Sequence, residues 1–189
     1  EGRARFEAIR VGAARDPLAA LVRPNAATVA VDRWHAAFAA RDWPAMRALY
    51  APDAKSEDRR RLVRVSGDVD WRIADSQRTA SMRNTRFEQQ LMGTAGDRVA
   101  LGRLLLTGDP GSAAAAAATE NRGISSLGPF EIEFLQVVEV DESGRITAGI
   151  TFDVDDWRAA NREAWARWFA RDAVAAASVG PVFEVIEGV

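Results

Sequence analysis

The sequence predicts an α+β fold: a cone-shaped, curved antiparallel sheet wrapped around N-terminal helices. Three observations carry this prediction. Helical periodicity is concentrated between residues 25 and 50. Extended segments joined by tight turns fill most of the stretch from 84 to 155. Between them there is none of the strand–helix–strand alternation that builds a parallel sheet. With 189 residues, 48% hydrophobic and 28% charged, the chain is long enough to bury one core as a single domain.

The elements follow in order. Residues 1–24 read as an N-terminal arm, broken by Gly12, Pro17 and Pro24. A first helix begins after Pro24, capped by Asn25, with Ala27, Val31, Trp34 and Phe38 along one face. Asp42 caps a second, short helix with Pro44 in its first turn, burying Met46, Leu49 and Tyr50 and stopped by Pro52. Residues 53–65 read as extended, ending at Gly67-Asp68, and a third helix covers roughly 70–82 around Trp71, Ile73 and Ala74. Strands follow at about 85–94 and 98–107, with a turn at Ala95-Gly96-Asp97. Two more follow at 129–140 and 145–152, around a turn at Asp141-Glu142-Ser143-Gly144. The Gly/Ala/Ser-rich stretch 108–128 reads as a flexible insertion. Asp155 or Asp156 caps a last helix with Trp157, Asn161, Ala164, Trp165 and Trp168 on one side. Gly180-Pro181 then breaks the chain before an apolar tail. The domain is therefore placed at 25–172, with 173–189 as a C-terminal tail.

Composition narrows the chemistry. With no cysteine, thiol catalysis, disulfides and Cys-based metal sites are excluded, and the single histidine, His35, leaves no His-rich metal site. Neither a metal nor a cofactor is expected; no Gly-rich loop follows a strand to cradle a phosphate. The formal net charge of −2 argues against a nucleic-acid partner. No apolar run approaches the about 20 residues of a membrane span, and no secretory pattern is visible, so a cytoplasmic location is expected. All basic residues but Lys55 are arginine, which suggests a GC-rich genome rather than a binding role. The chain begins at Glu1 rather than Met, which reads as an excised piece of a longer protein or as the loss of an N-terminal segment.

A cone of this kind leaves an end-on cavity suited to a hydrophobic small molecule. Alternation along the strand puts Ser56, Asp58 and Arg60 on one face and Lys55, Glu57 and Arg59 on the other. If the first set faces the cavity, Asp58 is the candidate catalytic base, with an ordinary Asp58–Arg60 ion pair as the competing reading. Gln136 is a lone amide on the apolar face formed by Phe130, Ile132, Phe134, Val138 and Val140, opposite Glu131, Glu133, Val137 and Glu139. His35 flanks the buried stripe of the first helix and reads mainly as a helix-flank residue bonded to a backbone carbonyl. Trp34, His35, Tyr50, Arg60, Phe134 and Gln136 form the candidate ligand-binding set. The run Arg59-Arg60-Arg61 reads as a solvated edge, and Asp153, Asp155 and Asp156 as helix caps.

The stretch Val31-Asp32-Arg33-Trp34-His35-Ala36-Ala37-Phe38, then Leu49-Tyr50-Ala51-Pro52-Asp53-Ala54 and Glu57-Asp58, resembles the opening of the nuclear transport factor 2-like superfamily. That group includes ketosteroid isomerases, SnoaL-type polyketide cyclases, scytalone dehydratases and limonene epoxide hydrolases. The stretch Phe134 to Val140, with Gly144-Arg145-Ile146 and Phe152-Asp153, is similar to its last hairpin. The resemblance covers roughly residues 25–171. It implies that Asp58 stands at the ketosteroid isomerase base position, Trp34 at that of a tyrosine oxyanion donor, and Gln136 at that of a second, acidic donor. One position is thus retained and two are altered. The resemblance also implies pairing of two chains through the outer sheet face as a homodimer. Two readings stay open: a ligand-binding, regulatory or accessory module, and a cofactor-free acid–base isomerase, dehydratase or cyclase, with epoxide hydrolysis as a variant.

Overall fold

The computed structural model describes residues 22–109 and 129–187, with side chains up to Pro181. Most of the expected arm and insertion, and the side chains of the apolar tail, lie outside the described residues. Helix α1 (Ala26–Ala40) and helix α2 (Trp43–Ala48) open the fold, followed by strands β1 (Tyr50–Asp58) and β2 (Val65–Gly67) and helix α3 (Val69–Ser81). Strands β3 (Arg83–Ala95), β4 (Val99–Asp109), β5 (Phe130–Val140) and β6 (Ile146–Asp153) complete one six-stranded sheet in the order β2-β1-β6-β5-β4-β3. Helices α4 (Trp157–Arg171) and α5 (Ala173–Glu187) end it.

The helix starts are set by short polar side chains. Asn25 accepts from the Thr28 backbone N–H while the Thr28 hydroxyl accepts from the Asn25 N–H, a reciprocal cap. Asp42 and Asp68 cap α2 and α3 in the same sense. Tyr50, expected in the second helix, instead begins β1. Pro52 lies within that strand, and the pairing with β6 shifts register between Tyr50 and Lys55, where the missing proline N–H removes a rung. Every neighbouring pair in the sheet is antiparallel except β1 and β6, which run parallel because α3 and the hairpins intervene between them. In α3 the buried stripe is Val69, Ile73, Ser76 and Ala80, with Ala74 outside it.

Two cores result. On the concave face, Ala27, Val31, Trp34 and Phe38 of α1 pack against Ala54, Ala100, Val138 and Val140, with Phe87 and Leu91 at the margin. On the convex face, Leu101, Leu135, Val137, Ile150 and Phe152 pack against Ala160 and Ala164 of α4. Of the side expected for the last helix, Ala164 and Trp168 pack here and Trp157 does not, with Ala160 buried instead. Small alanines let α4 lie close to the sheet, and Trp157 is 51% exposed. Trp168 of α4 packs onto the turn between β3 and β4, where Gly96 has φ +58° and a Cβ would stand 2.5 Å from the indole. The helix α5 continues through Pro181, so the break expected at Gly180-Pro181 does not occur. Among the described residues no helix is long and apolar enough to cross a membrane.

The charged face of α4 also points at the sheet. Glu139, 4% exposed, accepts from Arg167 at 2.6 Å and from Arg171, and Arg167 bonds Glu163 at 2.8 Å. Each member of the arginine run is paired rather than solvated alone: Arg59 with Glu57 and Glu163, Arg60 with Asp58, Arg61 with Asp153 and Asp155. Asp153 and Asp155 therefore bind Arg61. Asp156 holds the N-cap position of α4 with no side-chain capping bond.

Candidate ligand cavity

Two chambers lie between the concave sheet and the helices. The inner one, about 40 Å³, is lined by Trp34, Tyr50, Ser56, Trp71, Val138 and Gly149 among others. It has room for about two or three waters or one small functional group. The outer one, about 460 Å³, has an apolar wall of Phe87, Leu106, Phe130, Ile132 and Phe134, a volume in the range of small-molecule sites. The two meet at Asp58, Arg72, Gln136 and Thr151, which line both.

β1 delivers Asp58 to this junction as its last residue, and Arg60, just past the strand end, joins it on the same side. Arg60 grips the carboxylate with Nε at 2.9 Å from Oδ1 and Nη2 at 2.6 Å from Oδ2, and its backbone N–H donates to Oδ1 at 3.1 Å. The side chains are 14% and 21% exposed, so the pair is largely withdrawn from water. The guanidinium lies 5.1 Å from the Phe134 ring centre, which orients its plane. The ion-pair reading of Asp58 and Arg60 is therefore the observed one, and it sits at the cavity wall.

A second pair faces it from α3. Arg72 bonds Asp75 at 3.1 Å and lies 5.0 Å from the Trp34 ring centre. Two cations and two anions thus balance around the junction. The hydrogen-bonding groups left over are neutral: the Tyr50 and Ser56 hydroxyls, the Thr151 hydroxyl and the Gln136 amide, all at the chamber walls. Trp34 does not offer its N–H to the chamber. It donates to the Tyr50 oxygen at 2.9 Å, so the donor that reaches the inner chamber is the Tyr50 hydroxyl.

His35 stands apart. It stacks on Phe87 with centroids 5.8 Å apart and lines neither chamber; its buried Nε2 has no hydrogen-bond partner among the described residues. Burial lowers its pKa below 6.5, with Arg72 adding in the same sense and Asp32 opposing. The structure therefore brings Asp58, Trp34, Tyr50, Arg60, Phe134 and Gln136 together and leaves His35 outside. Sequence reasoning missed the α3 wall. Arg72, Asp75, Thr79 and Met82 all line the outer chamber, and their i, i+3, i+7, i+10 spacing on one helical line was the available signal.

A family model described as SnoaL-like domain matches residues 31–149. This chain belongs to the SnoaL-like domain family. It shares with that family the nuclear transport factor 2-like fold. Among solved structures, a Pseudomonas putida protein described as a candidate polyketide cyclase is 19% identical, with 71% of this chain and 96% of that chain covered at a TM-score of 0.50. A Xanthomonas campestris protein described in the same words is 18% identical, with 70% and 93% covered at 0.51. A Mycobacterium tuberculosis protein in complex with estradiol-17beta-hemisuccinate is 14% identical, with 70% and 97% covered at 0.54. At these identities the likeness is one of fold. Proteins with curated descriptions give no match. Helices α4 and α5 of this SnoaL-like domain lie beyond the residues that the family model matches.

Proposed function

We propose that this SnoaL-like domain binds a small hydrophobic molecule bearing an uncharged oxygen function. The observation that carries the reading is the 460 Å³ apolar chamber opening onto a polar junction whose charges are already paired within the protein. A charged ligand group would have to compete with Arg60 for Asp58, or with Asp75 for Arg72. A ketone or hydroxyl would meet Tyr50, Ser56, Gln136 and Thr151 without that competition. The structural neighbour in complex with estradiol-17beta-hemisuccinate supports the hydrophobic part of this reading.

The acid–base alternative, an isomerase, dehydratase, cyclase or epoxide hydrolase with Asp58 as base, has in its favour that Asp58 faces both chambers. Against it, both carboxylate oxygens already accept from Arg60. A substrate proton would have to reach an oxygen already engaged by Arg60, so we place binding first. The homodimer expected across the outer sheet face would need another surface, because α4 covers that face around Leu101, Val137 and Ile150.

Nile red, an uncharged aromatic dye with a carbonyl, tests the reading. Saturable, blue-shifted fluorescence at one equivalent is expected, lost when Leu106→Trp fills the outer chamber. Absence of saturable binding, or binding indifferent to Leu106→Trp, overturns it.

A further inference from the structure

The strand end that carries the Asp58–Arg60 pair is held from behind. From Glu57 to Arg61 the side chains alternate: Asp58 and Arg60 face the cavity, while Glu57, Arg59 and Arg61 bond on the other side or at the edge. Arg59 reaches α4 itself. Its Nη1 donates to Glu163 of α4 at 2.8 Å, its Nε to Glu57 at 2.8 Å, and its guanidinium lies 5.6 Å from the Phe152 ring centre. Its backbone N–H donates at 2.8 Å to the carbonyl of Thr151, whose residue lines both chambers. Glu163 continues the chain of bonds to Arg167, and Arg167 to the buried Glu139. Arg61 ties the same segment to Asp153 and Asp155, just ahead of α4.

We propose that α4 positions the Asp58–Arg60 pair, and that Arg59 is the positioning residue through which it does so. β1 ends at Asp58, so Arg59 and Arg60 leave the sheet, and strand pairing alone does not fix the backbone that aims Arg60. The Arg60 N–H donates to Asp58 and its carbonyl accepts from Val63 and Arg64, and the Arg59 bonds to Thr151, Glu57 and Glu163 add the constraint that reaches α4. Because Arg59 and Arg60 are adjacent, a shift of α4 along the convex face turns the peptide between them and moves the guanidinium at the chamber junction. The helix lies outside the residues that the family model matches. The consequence for ligands rests on the cavity reading above; the positioning itself does not.

The test is the solvent exchange of the Arg60 Nε–H proton, followed by ¹⁵N NMR of the full chain without ligand. Arg59→Ala and Glu163→Gln are each expected to speed that exchange by about tenfold or more, with amide protection in α1 and β5 unchanged. Arg59→Lys, which keeps a cation opposite Glu163, recovers most of the protection. Exchange at Arg60 that stays at the parent rate in Glu163→Gln, or protection lost equally throughout the chain, overturns the proposal. Glu163→Gln preserves side-chain volume and serves if Arg59→Ala does not fold. Nile red titration of the same variants separates the two ideas. Faster Arg60 exchange with Nile red failing to bind even the parent protein upholds the positioning and rejects the ligand reading. Weakened binding alongside faster exchange upholds both.

Discussion

The indole N–H of Trp34 donates to the hydroxyl oxygen of Tyr50 at 2.9 Å, joining α1 to the first residue of β1. Indole is a donor only, so the Tyr50 proton is directed elsewhere, and both residues border the inner chamber. Tyr50→Phe leaves the buried Trp34 N–H without its acceptor. Urea unfolding of that variant is expected to show a loss of about 1–3 kcal/mol, the cost of an unsatisfied buried donor. An unchanged midpoint with an unchanged slope would show that water replaces Tyr50 at no cost.

Gly149 keeps the inner chamber open. A Cβ built there meets no atom within 4 Å, although the residue sits in the middle of β6. Gly149→Val therefore adds bulk to empty space on a strand that favours a β-branched side chain. Its stability is expected to stay within about 1 kcal/mol of the parent, while Nile red binding weakens by about tenfold or more. Parent-like affinity in a stable Gly149→Val protein would remove the inner chamber from the site.

What the sequence disclosed, it disclosed through local physics. The α1 stripe of Ala27, Val31, Trp34 and Phe38 was legible because nothing interrupts its period, and Asn25 and Asp42 because capping needs only a short acceptor. Alternation expected over 53–65 put Asp58 and Arg60 on one face; both line the outer chamber, although β1 ends at Asp58 and Arg60 reaches the wall from beyond the strand, and Gln136 lines both chambers. What stayed hidden depends on partners far along the chain. The Trp34–Tyr50 bond joins a helix to a residue whose strand start was masked by Pro52. The docking of α4 was unreadable because Glu163 and Arg167, which a helical wheel assigns to solvent, bond Arg59 and Glu139 on the sheet. The aromatic residues that suggested the buried side include Trp157, which stands half in water.

His35 gives the protein a pH dependence whose sign is fixed by burial. Its folded-state pKa is lowered from 6.5, because burial against Phe87 disfavours the imidazolium, with Asp32 opposing and Arg72 adding to the effect. Below 6.5 the unfolded chain takes up a proton before the folded one does. Unfolding then binds protons, and stability falls as pH drops through that window until the folded pKa is reached. Urea midpoints measured at about pH 7.5 and about pH 5.5, above the range of ordinary carboxylates, are expected to be lower at the acid end. His35→Phe, which preserves the stack on Phe87, is expected to abolish most of that difference. A difference of equal size in the variant would assign the effect to other groups.

Glu139 is the group on which α4 is seated. It lies on β5 opposite Ala148, 4% exposed, with Arg167 and Arg171 converging on its two oxygens. Glu139→Gln keeps the shape but removes the charge, leaving two cations side by side with a neutral amide. The arginines retain partial solvent contact and Arg167 keeps Glu163, so the loss is expected at about 1–3 kcal/mol rather than the larger cost of a fully buried orphaned charge. Because the carboxylate itself is buried, salt does not mimic the substitution: screening acts on exposed pairs such as Arg98–Glu142, not on this one. The segment linking Asp153 to Trp157 should therefore become sensitive to limited proteolysis in Glu139→Gln at low salt, but not in the parent protein at high salt. Cleavage of the parent in high salt alone would show that α4 is held by exposed charges instead, with the alanine contacts of Ala160 and Ala164 too weak to keep it down once those charges are screened.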